Sequence, residues 1–186
     1  MTTLAPSFTT LTGTYTLDPT HTRIGFVARH AMVTKVRGSF NEFEGTATVD
    51  GEDPANSSVR VTIKAASIDT RNTQRDEHLR TNDFLALEQY PQITFVSTDI
   101  SQVDETTFEV SGDLTIKDVT NRITVPFQFE GAAQDPFGNQ RIGFDGTVTI
   151  SRKDYGITWN AALETGGVLV SDKIVLEFEV SAIKNA

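Results

Sequence analysis

Five stretches of the chain alternate apolar and polar residues almost without error. Phe108, Val110, Leu114 and Ile116 share one face with Gly112, while Glu109, Ser111, Asp113, Thr115 and Lys117 take the other. The same pattern runs through Ile142, Phe144, Val148 and Ile150, and through Val59, Val61, Ile63 and Ala65. It recurs at Ile123, Val125, Phe127 and Phe129, and at Ile174, Leu176, Phe178 and Val180. Successive strand residues point to opposite faces, so each run describes a strand with one wet and one dry face. These dry faces outnumber any helix able to cover them. The sheet must close on itself or stack against another, and the contents of the enclosed space become the functional question.

Turn signals such as Asp18-Pro19, Asp50-Gly51, Asp104-Glu105, Asp135-Pro136 and Gly166-Gly167 separate strands expected at 13–18, 21–30, 36–50, 56–68, 91–103, 106–117, 121–134, 140–153 and 172–184. Short connections make this an antiparallel meander. Within 36–50 the apolar parity changes, from Phe40 to Phe43, Gly45, Ala47 and Val49, which predicts a bulge near Asn41–Glu42. The block from Asp69 to Tyr90 breaks the alternation. Its best helical part runs from Asn72 to Asn82, with Thr73 as N-cap and Asp76 and Glu77 at the positive end of the helix dipole. The expected fold is all-β: one antiparallel barrel domain over 13–186, a flexible segment over 1–12, and a helical insertion at about 72–87 lying across one end.

Composition adds a size and a texture. The length of 186 residues suits a single barrel, and 12 Phe against 3 Tyr and 1 Trp supply bulk that needs no hydrogen-bond partner. Such a surplus fits a packed core and the wall of an apolar pocket equally well. Barrels of about eight strands either fill with side chains or keep room for one small ligand. Gly45, Gly112 and Gly146 on the apolar face would leave space for a channel, although glycines also serve strand coiling.

The net charge of −9 argues against nucleic acid, whose phosphates call for clustered Lys and Arg. The charge is uneven, because Asp18 is the lone acid between positions 18 and 41, against Arg23, Arg29, Lys35 and Arg37. That stretch reads either as a solvated strand face or as a patch for a small anion. With no cysteine, disulfides, thiolate metal sites and cysteine nucleophiles drop out. No run reaches the length of a membrane-spanning helix. Met1 to Thr12 has no Lys or Arg and no apolar run of signal-peptide length, so a cytoplasmic location is expected.

Catalytic signatures are sparse. There is no HExxH, GxSxG, phosphate-binding loop or dinucleotide fingerprint, so neither a metal nor a cofactor is expected. The densest ionisable cluster is Arg75, Asp76, His78 and Arg80. Arg71, Arg75 and His78 fall near one face at helical spacing. They read either as a head-group clamp at the barrel mouth or, with Asp76 and Arg80 as i, i+4 partners, as a helix pinned to the rim by ion pairs.

Seven segments then carry a resemblance: YTLDPTHTRIGFVARH (15–30), GSFNEFEG (38–45), ASIDTRNTQRDEHLRTNDF (66–84), YPQITFVS (90–97), VSGDLTIKDVT (110–120), DPFGNQRIGFDGTVTISRKDYGITWN (135–160) and SDKIVLEFEV (171–180). In order and spacing they resemble the YceI-like, polyisoprenoid-binding family from Tyr15 to Ile183. The resemblance implies an elongated lipocalin-like barrel, closed at one end by a helical segment, that binds a polyisoprenoid or other long-chain lipid. It also implies that homodimers are common. Many similar proteins carry a leader and work in the periplasm.

Together these readings give a non-catalytic carrier or store. The ligand tail would lie among Phe26, Phe43, Phe95, Phe108, Phe127, Phe129, Phe144 and Phe178, with a polar head near Arg29, His30, Arg71 or Arg75. Two rival readings are an enzyme acting through Asp76 and His78 and a fully packed barrel serving stress response or protein interaction.

Overall fold

The computed structural model describes residues 8–163 and 167–185. Its strands are β1 (Gly13–Leu17), β2 (Arg23–His30), β3 (Thr34–Phe40), β4 (Phe43–Val49), β5 (Ser58–Lys64), β6 (Ile68–Asp69), β7 (Gln92–Gln102), β8 (Thr107–Ile116), β9 (Val119–Gln134), β10 (Gln140–Ser151) and β11 (Lys173–Lys184). The helix α1 (Thr73–Leu79) lies between β6 and β7. The order β1-β4-β5-β7-β8-β9-β10-β11 closes into an eight-stranded antiparallel ring through β1–β11 pairing, from Tyr15 opposite Lys184 to Leu17 opposite Ala182. The barrel expected from the alternation is the barrel observed.

β11 is longer than β1 and takes a second neighbour. β2 pairs with it from Arg23 opposite Glu179 to Val27 opposite Val175. β3 pairs with β2, and β6 with β3, so β2, β3 and β6 carry the wall onward toward α1. The expected strand 36–50 is therefore two strands. Thr46 pairs with Thr16 of β1, whereas Phe40 pairs with Ile24 of β2. Between β1 and β2 the chain turns at Asp18, whose carbonyl accepts from the His21 N–H at 3.2 Å. The facing strand has to break where its partner breaks, and the parity switch at Asn41–Glu42 marks that break. Two bulges do occur elsewhere. The ladder slips at Thr98 in β7 and at Glu130 in β9, and beyond each slip the inward parity inverts, bringing Ile100 and Ala132 into the core.

Two apolar clusters fill the ends of the barrel. Ile63, Ile93, Leu114, Ile116, Phe84 and Tyr155 belong to the one near α1, and Leu11, Tyr15, Val49, Phe108, Phe129 and Ile142 to the other. The segment expected to be flexible over 1–12 supplies Leu11 and, from a 3-10 turn at Phe8–Thr10, Phe8 to this far cluster. The Tyr15 hydroxyl fixes the turn by donating to the Leu11 carbonyl at 2.8 Å. Residues 1–7 and Gly166 of the Gly166-Gly167 turn lie outside the described residues.

One ion-pair network ties the β1–β2 turn to the β9–β10 hairpin. Arg141 donates to Asp18 at 2.6 Å and to Asp135 at 2.7 Å. Hydrogen bonds from Arg141, and next from His21, hold the Asp18 carboxyl down at about 2. At Asp135 burial pushes upward, but the Asn139 N–H and Arg141 outweigh it, and that carboxyl also lies at about 2. Both groups titrate below their unfolded range. The stability they contribute is complete above about pH 4 and is lost as pH falls toward about 2. Arg141→Gln should therefore weaken the fold most at neutral pH, with wild type and variant converging as pH drops through that window. Urea unfolding at stepped pH checks this; a gap that stays constant with pH would assign Arg141 to packing alone.

Candidate functional site

The barrel encloses a cavity of about 330 Å³. That is at the lower end of ligand-pocket volumes and far larger than the voids of a close-packed core. Its lining runs from Phe8, Phe108 and Phe144 at the far end to Phe84, Tyr155, Ile157 and Val170 near α1. Phe26, Phe95, Phe127 and Phe178 lie between. Of the eight Phe expected around a tail, these six reach the cavity surface. Phe129 sits in the far aromatic cluster, its ring 5.2 Å from that of Phe144, and Phe43 packs against both apolar clusters without lining the cavity.

The inward glycines do not widen this space. A Cβ on Gly112 would come within 2.5 Å of the Phe95 ring, and one on Gly146 within 2.7 Å of the Phe127 ring. Each glycine lets the aromatic ring of a neighbouring strand lie across it. The wall is thereby paved with flat rings, and the volume given up by the glycine is refilled.

Near α1 the polar groups serve the frame. The N-cap is Asn72, one residue before the expected Thr73; its side-chain oxygen accepts from the Arg75 N–H at 3.0 Å. Buried Asp76 accepts from the Thr70 N–H at 2.9 Å and the Thr70 hydroxyl at 2.6 Å. Arg75 donates to the Thr70 hydroxyl and carbonyl, each at 2.7 Å. Arg80 binds the Ala66 and Ile68 carbonyls rather than Asp76. The helix is thus fastened to the rim by hydrogen bonds to the chain before it, not by the expected i, i+4 ion pair. His78 pairs with Asp83 at 2.8 Å and sets its ring edge-on to Trp159 at 4.7 Å. Asp76 and His78 have separate partners, and neither lines the cavity. Arg71 is exposed, with φ of 64°. Arg29 and His30 are exposed at the end of β2, where the backbone pairs with Val170 and Ser171.

Residues 15–182 match the family model described as the YceI-like domain. The chain belongs to the YceI-like family. A UPF0312 protein from Staphylococcus aureus (strain MSSA476) is 40% identical over 169 residues, covering 90% of this chain and 95% of its own. The crystal structure of Burkholderia cenocepacia BcnA superposes with a TM-score of 0.78 at 25% identity, over 89% of this chain and 98% of that one. A Saccharophagus degradans domain described as polyisoprenoid-binding and implicated in plant cell wall breakdown gives 0.70 at 16% identity, over 92% and 98%. That last likeness concerns the fold.

The YceI-like lumen also holds a cation that the sequence reading passed over. Arg152 is 4% exposed and is the single charged side chain in the cavity lining among the described residues. It donates to the carbonyls of Ser171 at 2.8 Å, Ile157 at 3.0 Å, Trp159 at 2.8 Å and Val170 at 3.3 Å. A guanidinium has five N–H donors, so one is left over. Burial lowers its pKa, against the opposing pull of Asp172. The signal was in the sequence: the inward parity of Ile142, Phe144, Val148 and Ile150 lands next on 152. The Tyr155 hydroxyl, also in the lining, is buried with no partner in full hydrogen-bond geometry among the described residues, and burial raises its pKa against the opposing pull of Asn121. Arg152→Met should cost about 3 kcal/mol, since it takes the guanidinium from four carbonyls, the buried one of Ile157 and the part-buried ones of Trp159, Val170 and Ser171, of which Val170 keeps the Asn160 amide as donor. Hydrogen exchange across 157–171 should accelerate in that variant; unchanged exchange would contradict this anchoring role.

Proposed function

We propose that the protein is a non-catalytic carrier or store that holds one long apolar molecule, a polyisoprenoid or related lipid, along the barrel lumen. The observation that carries this reading is the ring-paved cavity of about 330 Å³, lined by residues of both end clusters. The Saccharophagus domain, with the same fold, is described as polyisoprenoid-binding, which supports the ligand class. The tail lies along Phe26, Phe95, Phe108, Phe127, Phe144 and Phe178. The polar end points toward α1, where Arg152 keeps one uncommitted donor in the lining and Arg29, His30 and Arg71 stand exposed. Arg75 is committed to Thr70 and takes no part.

Burial of the tail dominates such an affinity, at about 0.8 kcal/mol per methylene, or roughly fourfold in Kd. Titration with a chain-length series sharing one head group should show that increment up to a sharp limit where the lumen is full. Ile123→Trp, which adds bulk to the middle of the lining, should weaken binding at least about tenfold while leaving the unfolding temperature unchanged or higher. Affinity that ignores chain length and Ile123→Trp alike, yet collapses in Arg29→Ala and Arg71→Ala, would overturn the reading.

A further inference from the structure

The β2–β3 hairpin carries a feature that a lumen-binding barrel does not require. Its tip, Ala31 to Val33, leaves Met32 61% and Val33 73% exposed. Val168, 39% exposed, stands on the adjoining loop, where the Met32 sulfur lies directly against Gly167. That loop is stitched to the hairpin by the Ala31 N–H, which donates to the Leu169 carbonyl at 2.8 Å. Met32, Val33 and Val168 are therefore exposed apolar residues on two loops in contact at the α1 end of the barrel. The turn does not explain their identity. Ala31 and Met32 hold left-handed φ values of 50° and 64°, a conformation for which Asn and Gly are the ordinary residues.

Charge supplies the second observation. On the outer face of the same hairpin Arg29 stands directly opposite Lys35, and Arg37, opposite Val27, follows along β3. Like charges facing each other across an antiparallel pair repel. None of the three joins an ion pair among the described residues, although the chain as a whole carries a net charge of −9. No acid occurs between Asp18 and Glu42. An exposed apolar tip beside an unneutralised cationic stripe complements a surface that is negatively charged outside and apolar just beneath.

We propose that the β2–β3 hairpin docks the barrel on an anionic lipid bilayer, with Met32, Val33 and Val168 entering the interface and Arg29, Lys35 and Arg37 facing the phosphates. The docked end is also the end where Arg152 and Val170 line the cavity. The surface stands on its own observations, whatever the lumen holds.

Flotation of the full chain with vesicles tests it. Vesicles of equal parts phosphatidylglycerol and phosphatidylcholine should carry the protein at low salt and release it at high salt; phosphatidylcholine vesicles should not carry it. Met32→Ser with Val33→Ser, and separately Lys35→Gln with Arg37→Gln, should each weaken binding about tenfold or more with unfolding temperature preserved. The lumen-filled Ile123→Trp protein should dock like wild type, which keeps a failure of docking distinct from a failure of the ligand reading. Equal binding to both vesicle types, no binding to either, or undiminished binding by both double variants would overturn the proposal. So would self-association in sedimentation that disappears with Met32→Ser and Val33→Ser while vesicles are ignored, which would assign the patch to a second copy of the chain.

Discussion

Everything in this molecule depends on the closure of β11 onto β1. An open sheet of strands this long would present a row of unpaired N–H and C=O groups and a wide apolar face. The seam from Tyr15 opposite Lys184 to Leu17 opposite Ala182 removes the edge and encloses the face in one step. Tyr15, the first residue of the seam, is fully buried and pins the preceding turn through Leu11. With only a few residues of β1 available, the closure is completed by β2, β3 and β6, which prolong the wall in a second register after a break. The discontinuities at Asp18 and Asn41 are one event repeated on facing strands.

Closure alone does not leave a cavity, because many barrels of this girth are solid. Here a cavity remains, and at two places its wall is a ring lying over a glycine. Phe95 across Gly112 and Phe127 across Gly146 place aromatic bulk along the wall instead of into the centre. Polar groups that a lumen would tolerate poorly are spent on the chain itself: Asp76 on Thr70, Arg75 on Thr70, and Arg152 on four carbonyls of the segment that crosses the α1 end.

The barrel was legible because alternation is a strong signal wherever one face of a strand is dry; β8, β10 and β11 kept it for their full length, and β9 kept it as far as Phe129. Legibility failed where local pairing overrode parity. The bulges at Thr98 and Glu130 hid Ile100 and Ala132, and the partner change at Asn41–Glu42 hid the inward position of Phe40, which lines the cavity. Arg152 was overlooked for a different reason. A cation in an apolar register reads as the end of a strand until its carbonyl partners are seen, two of them 18 and 19 residues later in the chain. Asn72 displaced Thr73 as helix cap by one residue, the ordinary uncertainty of a helix boundary. Which six of the eight chosen Phe reach open space depended on ring orientation, which parity does not encode.

Phe8 gives the lumen a floor. Its ring lies 4.5 Å from that of Phe108 and faces Phe129 and Phe144 edge-on, and it belongs to a turn outside the barrel proper. The depth of the cavity is thus set by a residue that no strand holds in register, in a turn tied to the barrel by the Tyr15 hydroxyl on the Leu11 carbonyl and by the Gly51 N–H on the Thr12 hydroxyl. Barrel girth is a property of strand number and shear, and is slow to change in evolution. Depth here is a property of one short appended turn. Lengthening, shortening or substituting that turn rescales the longest guest the barrel can take without touching a single strand pair.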